Sequence, residues 1–222
     1  MKLHALALVA IVGGALSAGC LSGAHKLATA NDSKSTEVIT REIPWDGSRA
    51  LVVDLPANVR YVQGQPAMLR ARGAHRTVST LTIDGGRVHD KLLHTGGPVE
   101  LELTAPDIAH FELNGRSRLI IEGYNQDHLS LRTQGASTVE AAGRASVASV
   151  QMQGRSDINL SRLALETIDG SVGGSGVLVV APSHGGTLEV RNLASAVLLT
   201  RPPELKTRLL DEGRLVEASA SR

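Results

Sequence analysis

Five serines, Ser117, Ser137, Ser156, Ser175 and Ser195, recur in steps of 20, 19, 19 and 20 residues, and serine is a residue type that can attack an acyl or phosphoryl centre. A serine nucleophile needs a base within hydrogen-bond reach and a strained strand-to-helix elbow or its equivalent to present the hydroxyl. These serines sit instead in one recurring phrase: Gly-Arg-Ser-Arg-Leu (115–119), Gly-Ala-Ser-Thr-Val (135–139), Gly-Arg-Ser-Asp-Ile (154–158), Gly-Gly-Ser-Gly-Val (173–177) and Leu-Ala-Ser-Ala-Val (193–197). Each phrase runs into aliphatic residues, and five copies at a fixed period are the mark of stacked structural units. The serines therefore read as a structural turn ladder, and no catalytic residue is assigned among them.

The other chemistries fare no better. Eight histidines, at 4, 25, 75, 89, 94, 110, 128 and 184, show neither HxH nor HExxH spacing. His89, Asp90 and His94 come nearest to a metal constellation, and loop-borne surface residues explain them better, so no metal is expected. Gly170 to Gly176 is glycine-rich but has no lysine and no following helix, which argues against phosphate binding. No cofactor is expected. The net charge is +1, from 23 basic and 22 acidic residues spread along the chain, so no basic stripe exists for nucleic acid.

The elements that carry the phrases follow from their periodicity. Two positions after each serine stands Leu119, Val139, Ile158, Val177 or Val197, and four positions after it Ile121, Ala141, Leu160, Val179 or Leu199. Alternation with period two is a strand with one face inward. Further apolar pairs, such as Leu129 with Leu131 and Leu188 with Val190, put at least two strands in each period. The expected fold is all-β: a single-stranded right-handed parallel β-helix with coils of about 19–20 residues, its hand set by the crossover rule. The glycines at 115, 135, 154 and 173 are expected to supply positive φ at the corners. Asn114, Gln134 and Gln153, three residues before their serines, form a partial amide row that Val172 breaks. Residues 37–104 alternate in the same way without the phrase, and 37–60 should open the stack with atypical coils. Pro202-Pro203 and residues 204–218 should close it, as strand or short helix.

With the coils aligned by their serines, the acids can be checked for enzyme chemistry. A glycoside-cleaving site needs two carboxylates within several ångströms. Asp157 aligns with Thr138 and Gly176, and Arg116 and Arg155 align with Ala136 between them, so no carboxylate meets another.

The first residues read as an export signal. Lys2 is followed by an apolar run from Ala5 to Ala15, and Leu16-Ser17-Ala18-Gly19 brings small residues up to Cys20, the only cysteine. This resembles a bacterial lipobox, which implies cleavage before Cys20 and lipid attachment there; Ser22-Gly23-Ala24 offers an ordinary cleavage site instead. The expected organisation is a signal peptide over 1–19, a lipidated cysteine and flexible tether over 20–36, the β-helix over 37–204 and a cap or tail over 205–222.

The leader with Cys20, the opening from Leu51 to Gly64, the segment Val99-Glu-Leu-Glu-Leu-Thr-Ala-Pro106 and the serial Gly-x-Ser phrases resemble the putative auto-transporter adhesin head, GIN domain family, over roughly residues 45–200. The resemblance implies an exported bacterial β-helical protein without transferable catalytic residues. The expected function is a non-catalytic, adhesin-like binding or structural module, joined to the membrane by its lipid and meeting an envelope protein or polysaccharide. In a Gram-negative host, Leu21 favours the outer membrane. The alternative is a carbohydrate-active β-helix enzyme, an inference from fold alone.

Overall fold

The structure, a computed structural model, describes residues 37–92 and 97–218. Its strands coil into a β-solenoid. One wall stacks, all in parallel, β2 (Ala50–Val53), β8 (His110–Gly115), β10 (His128–Gly135), the second half of β11 (Thr138–Gly154), the second half of β12 (Asp157–Val172), β14 (Pro182–Val190) and β16 (Glu204–Leu209). The other stacks β3 (Ala57–Gln63), β9 (Arg118–Asn125), the first halves of β11 and β12, β13 (Val177–Val180), β15 (Ser195–Leu198) and β17 (Arg214–Glu217). Each coil crosses one wall, turns at a tight corner, crosses the other and bends back. At that second bend β11 runs on unbroken, with its register slipping around Glu140 to Gly143.

Chain order and stacking order part company at the first end. The coil made by β2 and β3 lies between a later coil, β6 (Arg87–Asp90) with β7 (Val99–Ala105), and the coil of β8 and β9. An ion pair between Arg87 and Asp54 joins the first two. Beyond β7 the direction reverses: β4 (Met68–Ala74) pairs antiparallel with β7, and β1 (Val38–Pro44) antiparallel with β4. A short helix α1 (His75–Thr80) tucks Val78 into the interior, and β5 (Leu81–Asp84) forms a hairpin with β6. Residues 37–60 thus supply an antiparallel edge and an inner coil rather than the opening coils that were expected. Reversal is a way to end a parallel stack, because it places short, charged β1 on the edge. At the other end, the closing segment is strand, with β16 on β14 and β17 on β15.

The interior is a continuous aliphatic column into which the chain's few aromatic side chains also go. Tyr61 and Phe111 meet edge to face at 5.1 Å, and Phe111 and Tyr124 at 6.5 Å. Such pairs add about 0.5–1.5 kcal/mol each beyond their burial. The Tyr61 hydroxyl donates to the Ala105 carbonyl at 2.9 Å, and that of Tyr124 donates to the His128 carbonyl.

One expectation about the core is overturned in the last coils. Leu119, Ile121, Val139, Ala141, Ile158 and Leu160 point inward as the phrase requires. Ile158, however, pairs with Leu178 and Leu178 with Ala196, so Leu178, Val180, Ala196 and Leu198 are buried. Val177, Val179, Val197 and Leu199 turn outward. A shift of one residue exchanges the faces of a strand completely, and the result is an aliphatic patch on the outside of the last coils, extended by Val216.

Candidate functional site

The tight corner between the walls is the most regular feature of the surface, and it is built from three adjacent rows. The inner row is Ala57, Ser117, Ser137, Ser156, Gly176 and Ala194, each buried, as the pairings of the residues beside them require. Only small side chains fit there: a Cβ on Gly176 would lie 1.7 Å from the Ser156 carbonyl oxygen. The serine hydroxyls satisfy backbone groups that the corner leaves over. Ser117 Oγ donates to the Leu55 carbonyl at 3.0 Å and accepts from the Ala57 N–H at 3.3 Å. Ser137 Oγ donates to the Gly115 carbonyl at 3.2 Å, and Ser156 Oγ accepts from the Ser137 N–H at 3.3 Å. Ser175 and Ser195 do not join this row. Ser175 is exposed one residue before Gly176, which holds the inner row, and Ser195 pairs with Val177 one residue after Ala194. The corners step with the coils, not with the serines.

Two residues before the inner row runs a row of positive φ: Gly115, Gly135, Gly154, Gly174, Asn192 and Asp211. The left-handed residue of the fourth corner is Gly174, in place of the expected Gly173. Asn192 and Asp211 take the same role without being glycine, as their short polar side chains allow. In the sequence each stands two residues before a small one, Ala194 or Gly213, outside the Gly-x-Ser phrase.

Between these rows lies the third, Arg116, Ala136, Arg155 and Ser175, exposed to solvent. Its first three residues, Arg116, Ala136 and Arg155, line an open groove of about 890 Å³, bounded by Pro56 and Pro98 at one end and by Arg118 along one side. Among the described residues no carboxylate lines it. Arg118 is engaged elsewhere, with Glu140 at 2.7 Å, and Glu140 also meets Arg162 at 3.4 Å. Arg60 and Glu122 pair at 2.7 Å across coils, and their hydrogen bond holds the Glu122 carboxyl below its ordinary value while raising Arg60. Arg116 and Arg155, which line the groove, have no carboxylate partner among the described residues.

The remaining candidates are dispersed. Asp157 lies beside Thr138 and Val177, not Gly176, and accepts the Val177 N–H at 3.0 Å. His89 Nε2 meets Thr82 Oγ1 at 3.1 Å, and Asp90 accepts from Thr80 Oγ1 at 2.7 Å and from the Leu92 N–H at 3.0 Å. His94 and Cys20 lie outside the described residues. Among the described residues no three His, Cys, Asp or Glu side chains are grouped to hold a metal. Asn114, Gln134 and Gln153 do adjoin one another, and Asn114 Nδ2 donates to Asp54 and Glu112 at 2.7 and 2.9 Å.

The sequence profile of the family described as "Putative auto-transporter adhesin, head GIN domain" matches residues 50–202. The chain belongs to this family. The match begins at the first residue of β2 and ends before β16, so the GIN domain takes in the corner rows as far as Asn192 and Ala194 but not β1 or the last coil. In fold, the chain is similar to the crystal structure of a putative adhesin from Bacteroides fragilis, at 15% identity and a TM-score of 0.67, covering 83% of this chain and 99% of that one. Putative adhesins from Parabacteroides merdae and Parabacteroides distasonis are similar at 12% and 11% identity, with TM-scores of 0.54 and 0.53. They cover 82% and 83% of this chain, and 97% and 98% of their own. No curated protein matches the chain.

Proposed function

We propose that this GIN domain is a non-catalytic binding module of the cell envelope, exported behind a signal peptide and held to the membrane by lipid on Cys20. The tether over 20–36 lets the solenoid stand off the surface, with the outer membrane as its site in a Gram-negative host. The observation that carries the non-catalytic reading is the disposition of the outward acids. Glu122 and Glu140 are neutralised by arginines of neighbouring coils, and among the described residues no carboxylate lines the groove at the corner. Hydrolysis of a sugar chain by the usual pair of carboxylates needs one that is free to move a proton. Stiff walls with fixed polar rows suit adhesion through many weak contacts, which accords with the family's name.

Two measurements test the reading. Incubation with a panel of polysaccharides should yield no new reducing ends and no unsaturated product; either product would overturn the non-catalytic assignment. Cys20→Ala should move the protein from the membrane fraction to the soluble fraction, and unchanged fractionation would refute the anchor.

A further inference from the structure

We infer that the corner groove binds a carboxylate-bearing polysaccharide, with Arg116 and Arg155 each holding one acidic sugar, an inference that rests on the binding-module reading above. The two arginines stand two coils apart, roughly 9.6 Å at the usual strand spacing, with only the Ala136 methyl between them. Both line one groove together with three glycines, two prolines and the short polar side chains of Asn58 and Thr138, so a chain can lie along the corner against backbone and small side chains. A polysaccharide with an acid on every second sugar presents its charges at a comparable interval.

Arginine is suited to this task because its planar fork takes a carboxylate with two parallel hydrogen bonds. The charges of Arg116 and Arg155 are free to act: the Glu140 carboxylate is shared by Arg118 and Arg162, and Asp157, beside Thr138, accepts the Val177 N–H and forms no ion pair with either arginine. A peptide strand is disfavoured as the ligand. The backbone of the groove is already spent: the Ala136 N–H donates to the Gly115 carbonyl at 2.8 Å and the Arg155 N–H to the Gly135 carbonyl at 2.7 Å. An added strand would find no ladder to join. With a net charge of +1 the chain also lacks the field that draws nucleic acid.

The test uses the full chain in detergent micelles and two fluorescent oligosaccharides of equal length: hyaluronan, with a carboxylate on alternate sugars, and neutral dextran. Polyglutamate serves as an acidic peptide control. Hyaluronan should bind in preference to both, and more weakly as salt rises. Arg116→Ala and Arg155→Ala should each weaken binding roughly tenfold, as loss of a charge-assisted hydrogen bond does, and the double variant should abolish it. Ala136→Glu should abolish binding while both arginines remain, because its carboxylate would occupy them; an unchanged melting temperature would show that the fold persists. Arg208→Ala, on β16 outside the groove, should bind as the parent does.

Unchanged binding by the double variant would overturn the groove assignment and leave the module reading intact. Equal affinity for dextran or polyglutamate would overturn the ligand class. If the parent chain binds none of the three, the inference fails, while the module reading is judged separately by pull-down from intact envelopes.

Discussion

Gly135 shows what the corner demands of a single residue. Its φ is +104°, and a Cβ there would stand 2.5 Å from the carbonyl oxygen of Gly115 in the neighbouring coil. Gly135→Ala should therefore cost more than about 2 kcal/mol, combining the left-handed backbone with a clash that neither coil can relieve. Asn192 occupies the same row at φ 61°, where asparagine is tolerated and glycine is at ease. Asn192→Gly should leave stability within about 1 kcal/mol of the parent, and paired urea midpoints for the two variants would check the contrast.

Tyr61 makes a different residue-scale prediction. Burial pushes its hydroxyl from an ordinary 10.0 up to about 12, and burial raises Tyr124 as well. Below pH 10 both folded and unfolded chains keep these protons, and the full stability is present. Between about 10 and 12 the unfolded chain releases its proton first, so stability falls as pH rises. Urea midpoints should decline over that window, and Tyr61→Phe should flatten the decline.

Strands show where reading by motif and reading by coil diverge. The serine phrase makes Val177, Val179, Val197 and Leu199 inward residues, equivalent to Leu119 and Ile121 in the first copy. Pairing of Ile158 with Leu178 makes them outward. Both registers alternate, and this stretch of β13 is Val-Leu-Val-Val, apolar on both faces, so periodicity has nothing to choose between them. The choice falls to the corner, where Gly176 must occupy the crowded position against Ser156 and Ser175 cannot. The prediction is direct: Leu178→Ala should destabilise by about 2–5 kcal/mol, and Val179→Ala by about 0.5 kcal/mol or less. The serine alignment requires the reverse order, so thermal or urea unfolding of the two variants decides between the registers.

At the scale of the molecule, the stack depends on a coil that the chain lays down out of turn. β2 and β3 cover β8 and β9, and are themselves covered by β6 and β7. A fragment starting at residue 107 keeps every Gly-x-Ser phrase, yet bares the edges of β8 and β9 with Phe111, Leu113, Leu119 and Ile121 beside them. It should aggregate, as uncapped parallel edges do, and gel filtration against a chain that begins at residue 37 would measure this. The groove is likewise a product of the whole, since Pro56 and Pro98 reach its end only because those two coils stack beside Arg116.

The sequence alone determined that the chain is a parallel solenoid with corners near 115, 135 and 154, because stacked copies of a turn must repeat the same backbone conformation and the same small side chain. It also aligned Arg116, Ala136 and Arg155. Only the tertiary structure decided the register of the last coils, the left-handed Asn192 and Asp211, and the antiparallel edge made by β1 and β4. Those features arise from contacts between coils distant along the chain, where the space left beside a neighbouring carbonyl, rather than any local pattern, selects which residue turns the corner.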